Sequence, residues 1–398
     1  MIDPRRVALV LLVAGLAASI SLAEVMLAVL ALWLLGDWIR GDRPAWPLAA
    51  PMLAFASWTA VTALASPAPV DSLNAARSAL ALAAIWVVRH AVRDAGGARW
   101  FATALLVALA IVAALSVVQV TSCGGERLYA KAAGWPPVLR SFLGKCARAH
   151  GFYSIYMTLG GVLALILVLS LPRLAAFRYR AAAAAAWLVG VTALALTVVR
   201  GAWLGFAAGV AVLACTVRRR ALLVGGVLCV ATALLAVPGV LSRALSIADV
   251  RDPTVRERLA MWSVGLALVR EHPVLGVGPG QVKRLYPAYA PDYAVRRHTS
   301  HLHNTPLQVA AERGLVGLAL WLWLFAAFFV RAGAIWRRLP AHAEQDRALL
   351  AGCVAAVAAF LVAGLFEYNF GDTEVLLVAM NIMALPFVIE RDHAVERG

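Results

Sequence analysis

The chain has 398 residues, of which 63% are hydrophobic and only 14% are charged, and its formal net charge is +15. Soluble domains are about 45–50% apolar and about 25% charged, so a single soluble fold is excluded. The positive charge does not indicate nucleic-acid binding, because much of the excess is arginine in short connections and no basic-aromatic pattern of such a module is present.

The N-terminal segment resembles a secretory signal. Two arginines at positions 5 and 6 precede an apolar run that ends near Ser21-Leu22-Ala23, a sequence similar to a cleavage site. Another apolar run follows at once, so we interpret this segment as an uncleaved first membrane span.

Apolar runs of this kind occupy most of the chain. A helix needs about 20 apolar residues to cross a bilayer. The sequence therefore predicts an all-α polytopic membrane protein, a single integral membrane domain over residues 1–398. We expect twelve transmembrane helices, at residues 7–22, 24–39, 47–65, 73–88, 100–120, 151–171, 181–199, 201–217, 221–237, 304–330, 348–366 and 373–389.

Arginine is concentrated in every second connection between these spans. Short cytoplasmic connections are enriched in Lys and Arg, so these connections and both termini are predicted to be cytoplasmic. The short connections on the other side carry almost no basic residues apart from Arg77 and Arg200.

Two long outer loops, 121–150 and 238–303, depart from this distribution because they are basic. Long translocated loops are largely exempt from the charge rule, so their basic residues need another explanation. Two remain open: an anionic substrate, or attraction to anionic lipid headgroups.

Cysteines fall into two groups. Cys215, Cys229 and Cys353 lie in apolar spans and are predicted to be packing residues. Cys123 and Cys146 share the first outer loop, where an oxidising periplasm would allow a disulfide between them.

Arg200 begins the eighth span on the outer side, in the sequence Arg200-Gly201-Ala202-Trp203. A helix N-terminus favours anions, and a guanidinium there can bind phosphate bidentately. The alternative is an interfacial anchor.

The second outer loop contains a predicted helix over residues 255–270, where apolar residues recur at three- and four-residue spacing. We expect this helix to lie at the membrane interface. Arg256 and Arg258 lie within it, and Arg258 shares a face with Trp262. Arg258 either binds an anionic ligand or extends to the headgroups while the tryptophan anchors the helix. The glycine-rich stretch 276–280 follows no strand, so we interpret it as a turn and not as a dinucleotide site.

Histidines at 298, 301 and 303 lie just before the tenth span, followed by Asn304. Histidine is the usual general base near neutral pH, and His303 lies at the expected outer boundary. A structural, hydrogen-bonded histidine is the alternative. No cysteine or carboxylate is near in sequence and the spacing fits no zinc motif, so we expect no metal. Glu312-Arg313 is predicted either to be a buried, neutralised pair or to show that the helix begins above the bilayer, and Glu312 could orient a basic partner.

These residues resemble a family signature. His303-Asn304, nine residues and then Gly314-Leu-Val-Gly317 resemble the signature of bacterial O-antigen ligases. Arg258 in the preceding outer loop and Arg200 in its Arg-Gly-Ala-Trp context resemble other characteristic positions of the O-antigen ligase and polymerase superfamily. The layout, with about twelve spans and a large outer loop before the histidine, resembles the family over the whole chain.

The resemblance implies a C-type glycosyltransferase of the bacterial inner membrane that acts on the periplasmic face in lipopolysaccharide biosynthesis. It implies an undecaprenyl-pyrophosphate-linked glycan as donor and a lipid A–core sugar hydroxyl as acceptor, with inversion and without metal or cofactor. His303 would be the base, and Arg200 and Arg258 would bind the pyrophosphate. His301, Asn304, Glu312 and Arg256 are candidate supporting residues.

Rival functions use the same donor. An O-antigen polymerase would extend a second lipid-linked glycan, and a protein O-oligosaccharyltransferase would modify a protein, although such proteins usually extend further at the C-terminus. A transporter is a different class; apart from the tenth span, no assigned span has an ionisable residue near its middle, where ion-coupled transporters usually place one.

Overall fold

The computed structural model describes residues 3–121, 148–216 and 252–395. Over these ranges the chain is helical and contains no strand. Two 3-10 helices are present in these ranges, Arg77–Ala83 and Leu171–Ala176. The α-helices in chain order are α1 (Pro4–Ala18), α2 (Ile20–Ile39), α3 (Ala49–Leu64), α4 (Pro69–Ala76), α5 (Ala84–Ala91), α6 (Ala95–Thr121), α7 (Tyr156–Ser170), α8 (Arg180–Leu196), α9 (Arg200–Thr216), α10 (Pro253–Glu271), α11 (Val282–Tyr289), α12 (Thr305–Arg338), α13 (Glu344–Gly364) and α14 (Thr373–Val395).

Six of the described helices are long and apolar enough to cross a membrane: α2, α6, α7 with its 3-10 extension, α12, α13 and α14. Three shorter apolar helices, α3, α8 and α9, also coincide with predicted spans. The prediction of a polytopic helical membrane protein is confirmed, whereas the number twelve stays a prediction. The ninth predicted span, 221–237, lies outside the described residues.

The fourth predicted span, 73–88, differs from a regular α-helix. It runs through α4, the 3-10 helix Arg77–Ala83 and α5. At the junction the Ser78 hydroxyl donates to the carbonyl of Ala75, 3.1 Å away. Such side-chain bonds compete with the regular helical ladder.

The centre of the bundle is formed by α13 and α14, which are the most buried of the long apolar helices together with α7. Glycines allow neighbouring helices to approach α13 closely. A Cβ at Gly205 of α9 would lie 2.6 Å from the carbonyl oxygen of Ala359, and one at Gly352 of α13 would lie 2.3 Å from that of Leu169. Small residues at helix crossings are the usual means of tight packing in lipid.

Gly352→Ala is therefore expected to destabilise the protein, because the added Cβ meets backbone that cannot rotate away. Overpacking of this kind costs about 1–3 kcal/mol. The matched control is Gly333→Ala in α12, where a Cβ meets nothing within 4 Å and helix propensity gains up to about 1 kcal/mol. Thermal unfolding in detergent should show a lower unfolding midpoint for Gly352→Ala but not for Gly333→Ala. Equal midpoints would show that α7 and α13 do not pack tightly at this crossing.

Polar side chains join the helices at two opposite ends of the bundle. At one end Asp37 contacts Arg5 at 2.5 Å and His90 at 2.9 Å. At the other, Thr158 donates to Asp372 at 2.6 Å. Helix ends from connections predicted to be cytoplasmic meet at the first end, and those predicted to be outer meet at the second. This arrangement agrees with helices that alternate in direction; which end faces the cytoplasm stays a prediction.

Two of the cysteines are described. Cys353 is fully buried, as its predicted packing role requires, and Cys215 is exposed near the end of α9. Cys229 and the proposed disulfide pair, Cys123 and Cys146, lie outside the described residues.

Candidate active site

Glu367 is the centre of the candidate site. It lies in the short connection between α13 and α14, and its carboxylate binds two of the residues predicted from the sequence. Oε1 accepts from Nη2 of Arg258 at 2.5 Å, and Oε2 lies 2.8 Å from Nδ1 of His303. The three side chains are only 12–18% exposed. A predicted base and a predicted anion-binding arginine therefore share one carboxylate.

The contact with Glu367 fixes the chemistry of the His303 ring. An ionised carboxylate only accepts hydrogen bonds, so Nδ1 carries a proton. In a neutral imidazole the other nitrogen, Nε2, then carries the lone pair. This is the arrangement that a general base needs, with one nitrogen oriented by an acid and the other able to accept a proton.

The backbone holds His303 in an unusual conformation. Its φ is +48°, in the left-handed region, which non-glycine residues adopt at functional or strained positions. Asn304 follows as the N-cap of α12, and its Oδ1 accepts from the N–H of Leu307 at 2.9 Å. Asn304 thus starts the helix that follows the predicted base.

Thr305 joins the two parts of the chain that form the site. Its hydroxyl lies 2.9 Å from both the backbone oxygen of Glu367 and Oδ1 of Asn369. Thr305 is fully buried. The start of α12 and the α13–α14 connection are therefore tied together directly beside the His303–Glu367 contact.

Arg200 lies at the N-terminus of α9 and is 5% exposed. Its Nη1 lies 3.5 Å from Oδ2 of Asp252, the N-cap of the helix that carries Arg258. The next residue, Gly201, packs against Glu367: a Cβ there would lie 3.3 Å from Cγ and 3.6 Å from Oε1 of that residue. The start of α9 therefore borders the same carboxylate.

His301 packs against His303. The two imidazole centroids are 4.2 Å apart in an edge-on arrangement, and the Tyr368 ring is 5.7 Å from His301. Burial, with a smaller contribution from the neighbouring His303, lowers the pKa of His301 to about 4. His301 is therefore neutral near pH 7 and contacts the ring of the predicted base. Arg256, also predicted as supporting, is exposed on α10, and His298 is exposed as well.

Glu312 lies apart from the His303–Glu367 contact, because its carboxylate is buried in a separate ion pair with Arg313 at 2.9 Å. The pair is buried and neutralised, the first of the two alternatives. Gln308 links it to the site: its amide donates to Glu312 at 2.8 Å, and its Oε1 accepts from the N–H of Leu302 at 2.8 Å. Glu312 therefore acts on the backbone just before His303 and not on its ring.

Gly314 explains the break in α12 just after the Glu312–Arg313 pair. Gly314 has φ +68° inside the helix, and a Cβ there would lie 1.8 Å from the carbonyl oxygen of Val274. The break frees backbone carbonyls, which the 276–280 stretch then binds. The N–H groups of Val277 and Gly278 donate to the backbone oxygens of Ala311 and Glu312, both at 2.9 Å. The predicted turn is thus docked on the broken helix.

Glu367 was not predicted as a site residue. It follows the predicted span 348–366 directly and lies 64 residues after His303. The available signal was an acidic residue in a short outer connection, at the boundary of a span. The predicted residues alone left the predicted base, His303, without a partner to orient it.

The chain was compared with known protein families and with curated proteins. A sequence model described as O-antigen ligase matches residues 183–322, which include Arg200, Arg258, His303 and Glu312. A comparison with curated proteins found no match. The family resemblance predicted from the sequence is therefore confirmed: the region from α8 into α12 that supplies the arginines and the histidine of the site is similar to the O-antigen ligase family.

Proposed function

We propose that this protein transfers an O-antigen glycan from undecaprenyl pyrophosphate to a sugar hydroxyl of lipid A–core oligosaccharide, on the periplasmic face of the bacterial inner membrane. The contact of one carboxylate with both His303 and Arg258, beside the start of α9, supports this proposal most directly. It joins a residue suited to accept a proton to a residue suited to hold a phosphate.

In the proposed step the acceptor hydroxyl attacks the anomeric carbon of the donor glycan. The hydroxyl proton passes to Nε2 of His303 as the new carbon–oxygen bond forms. The bond between the anomeric carbon and the pyrophosphate oxygen breaks, and its electron pair leaves with the pyrophosphate. Attack opposite the leaving group inverts the anomeric configuration.

Arg200 and Arg258 would stabilise the pyrophosphate as its charge increases. Pyrophosphate is already a good leaving group, so positioned guanidinium groups can take the place that a divalent metal has in other transferases. Removing one electrostatic donor of this kind typically lowers the rate by about 10²–10³. The buried position of Arg200 strengthens its field, because the local dielectric is low.

Arg258 has to serve two anions in this mechanism. Without donor it pairs with Glu367 at 2.5 Å. A bound pyrophosphate carries more negative charge and would draw the guanidinium towards itself. Glu367 would then serve His303 alone, as positive charge develops on that ring.

The test is reconstitution of the purified full-length protein with lipid-linked glycan and lipid A–core in the presence of EDTA. We expect glycan on lipid A–core without added metal. Glycan that lengthens on undecaprenyl pyrophosphate while lipid A–core stays bare would identify a polymerase instead. Glycan on a protein acceptor only would identify a protein oligosaccharyltransferase, and a strict requirement for Mg²⁺ would contradict the metal-free step.

A further inference from the structure

A second basic site lies at the opposite end of the bundle from His303. His303 precedes the first turn of α12, whereas this site surrounds its last turns, and the part of α12 after the break at Gly314 alone spans about 35 Å. The site is a cavity of about 470 Å³ between α5, α12 and α14. Its polar lining consists of Arg89, Arg331, Arg338, Arg391, Glu390 and His393.

The lining carries more positive than negative charge. Glu390 is its carboxylate, and it binds Arg331 at 3.0 Å and lies 3.9 Å from Arg338. Arg391 is held by uncharged groups: its guanidinium donates to the backbone oxygens of Arg89 at 3.1 Å and Val92 at 2.5 Å. Four guanidinium groups thus face one carboxylate.

Acidic residues close to the cavity contact groups other than its four guanidinium groups. Asp392 accepts from the N–H of Ala95, at the start of α6, at 3.0 Å. Asp346 accepts from Arg99 and lies 2.9 Å from Nε2 of His393, which lines the cavity. These contacts fix the ends of α6, α13 and α14 and leave the excess of guanidinium groups over carboxylates in the cavity unchanged.

Phosphate is the anion that such a lining fits, because guanidinium groups bind its oxygens bidentately. The surface next to the cavity indicates where that phosphate comes from. Trp323 and Ala327 lie eight and four residues before Arg331 on the same face of α12. Trp323 is 46% exposed and Ala327 is half-buried, and Val330 beside them is 69% exposed. An acyl chain can lie along this apolar surface while its headgroup enters the cavity.

We propose that this cavity binds the phosphate headgroup of an anionic phospholipid, in the leaflet that the arginine distribution predicts to be cytoplasmic. Basic pockets between helices on that side of a membrane are suited to such headgroups. The site does not depend on the proposed transferase activity, since it uses other residues at the other end of the protein.

The proposal is tested by native mass spectrometry of the delipidated full-length protein, titrated with phosphatidylglycerol or phosphatidylcholine. We expect phosphatidylglycerol to bind more tightly. The double variant Arg331→Ala/Arg338→Ala should weaken its binding by at least about tenfold, since the loss of one hydrogen bond between charged groups costs about that factor. Both side chains are about half exposed or more, so their loss should not disturb packing.

Arg337→Ala is the matched control. Arg337 is exposed on the same turn of α12 and is not among the residues that line the cavity, so its loss should leave lipid binding unchanged. The conservative variant Arg331→Lys/Arg338→Lys keeps the charge and removes the bidentate geometry. An intermediate affinity for it supports phosphate binding by the two guanidinium groups.

Three results would overturn the proposal. Equal binding of the two lipids would remove the requirement for an anion. An equal loss of phosphatidylglycerol affinity in the Arg337→Ala control would show that binding depends on net charge and not on the cavity. Competition by glycerol 3-phosphate or inorganic phosphate at the concentration where the lipid binds would identify a soluble phosphate as the ligand, because the acyl chains would then contribute nothing.

Discussion

Replacing His303 with alanine is expected to lower the rate of glycan transfer by about 10²–10⁴-fold, the usual contribution of a positioned general base. The acceptor hydroxyl would have to lose its proton to water, and Glu367 would lose the ring that it orients at 2.8 Å. The measurement is the initial rate of transfer to lipid A–core in the reconstituted system.

The left-handed backbone at position 303 calls for a second variant, because alanine tolerates φ +48° poorly. Asparagine is enriched in that region and has no basic nitrogen, so His303→Asn should lose the same rate with less effect on folding. His298→Ala is the matched control, since that histidine is close in sequence and exposed. Transfer that continues at the wild-type rate in both His303 variants would remove this residue as the base.

Much of the site could be predicted because its residues occupy characteristic places along the chain. Arg200 begins an apolar run, Arg258 lies on a helical face before the tenth span, and His303 lies at that span's boundary. Each position follows from periodicity and from the alternation of charged connections, which depend on local sequence, whereas the roles predicted for these residues rest on the family resemblance.

The partner of His303 could not be predicted in this way, because its position depends on packing between distant helices. Nothing local to Glu367 relates it to residue 303; the two meet because the start of α12 packs beside the α13–α14 connection, where Thr305 bonds to the backbone oxygen of Glu367. The break at Gly314 is a similar case. Its glycine permits the break, but the segment that fills it, around Val274, comes from another loop.

Glu367→Gln is the variant that separates orientation of the base from binding of the donor. We expect the maximal rate to fall by about 10²–10⁴-fold. A glutamine amide can donate to Nδ1 of His303, which would move the ring proton to Nε2 and remove the lone pair that accepts the acceptor's proton. The corresponding acid-to-amide change in a serine protease triad costs about 10⁴ for the same reason.

The KM for the lipid-linked donor provides the distinguishing measurement. In the wild-type protein the Glu367 carboxylate lies 2.5 Å from the Arg258 guanidinium and competes with pyrophosphate for it. The variant removes this competing carboxylate. The KM for the donor should therefore stay the same or decrease while kcat falls. A merely structural role for Glu367 predicts a different result, with less folded protein and a higher KM, because α9, α10 and the start of α12 all meet at this residue.

Two further variants complete the experiment. Glu271→Gln removes an exposed carboxylate from the end of α10 and should leave both kinetic parameters unchanged. Glu367→Asp retains the charge on a shorter side chain, so it should recover part of kcat if the carboxylate acts by orienting the imidazole. If Glu367→Gln has the kcat of the wild type, Nδ1 of His303 needs no acid to hold its proton, and the carboxylate serves Arg258 alone.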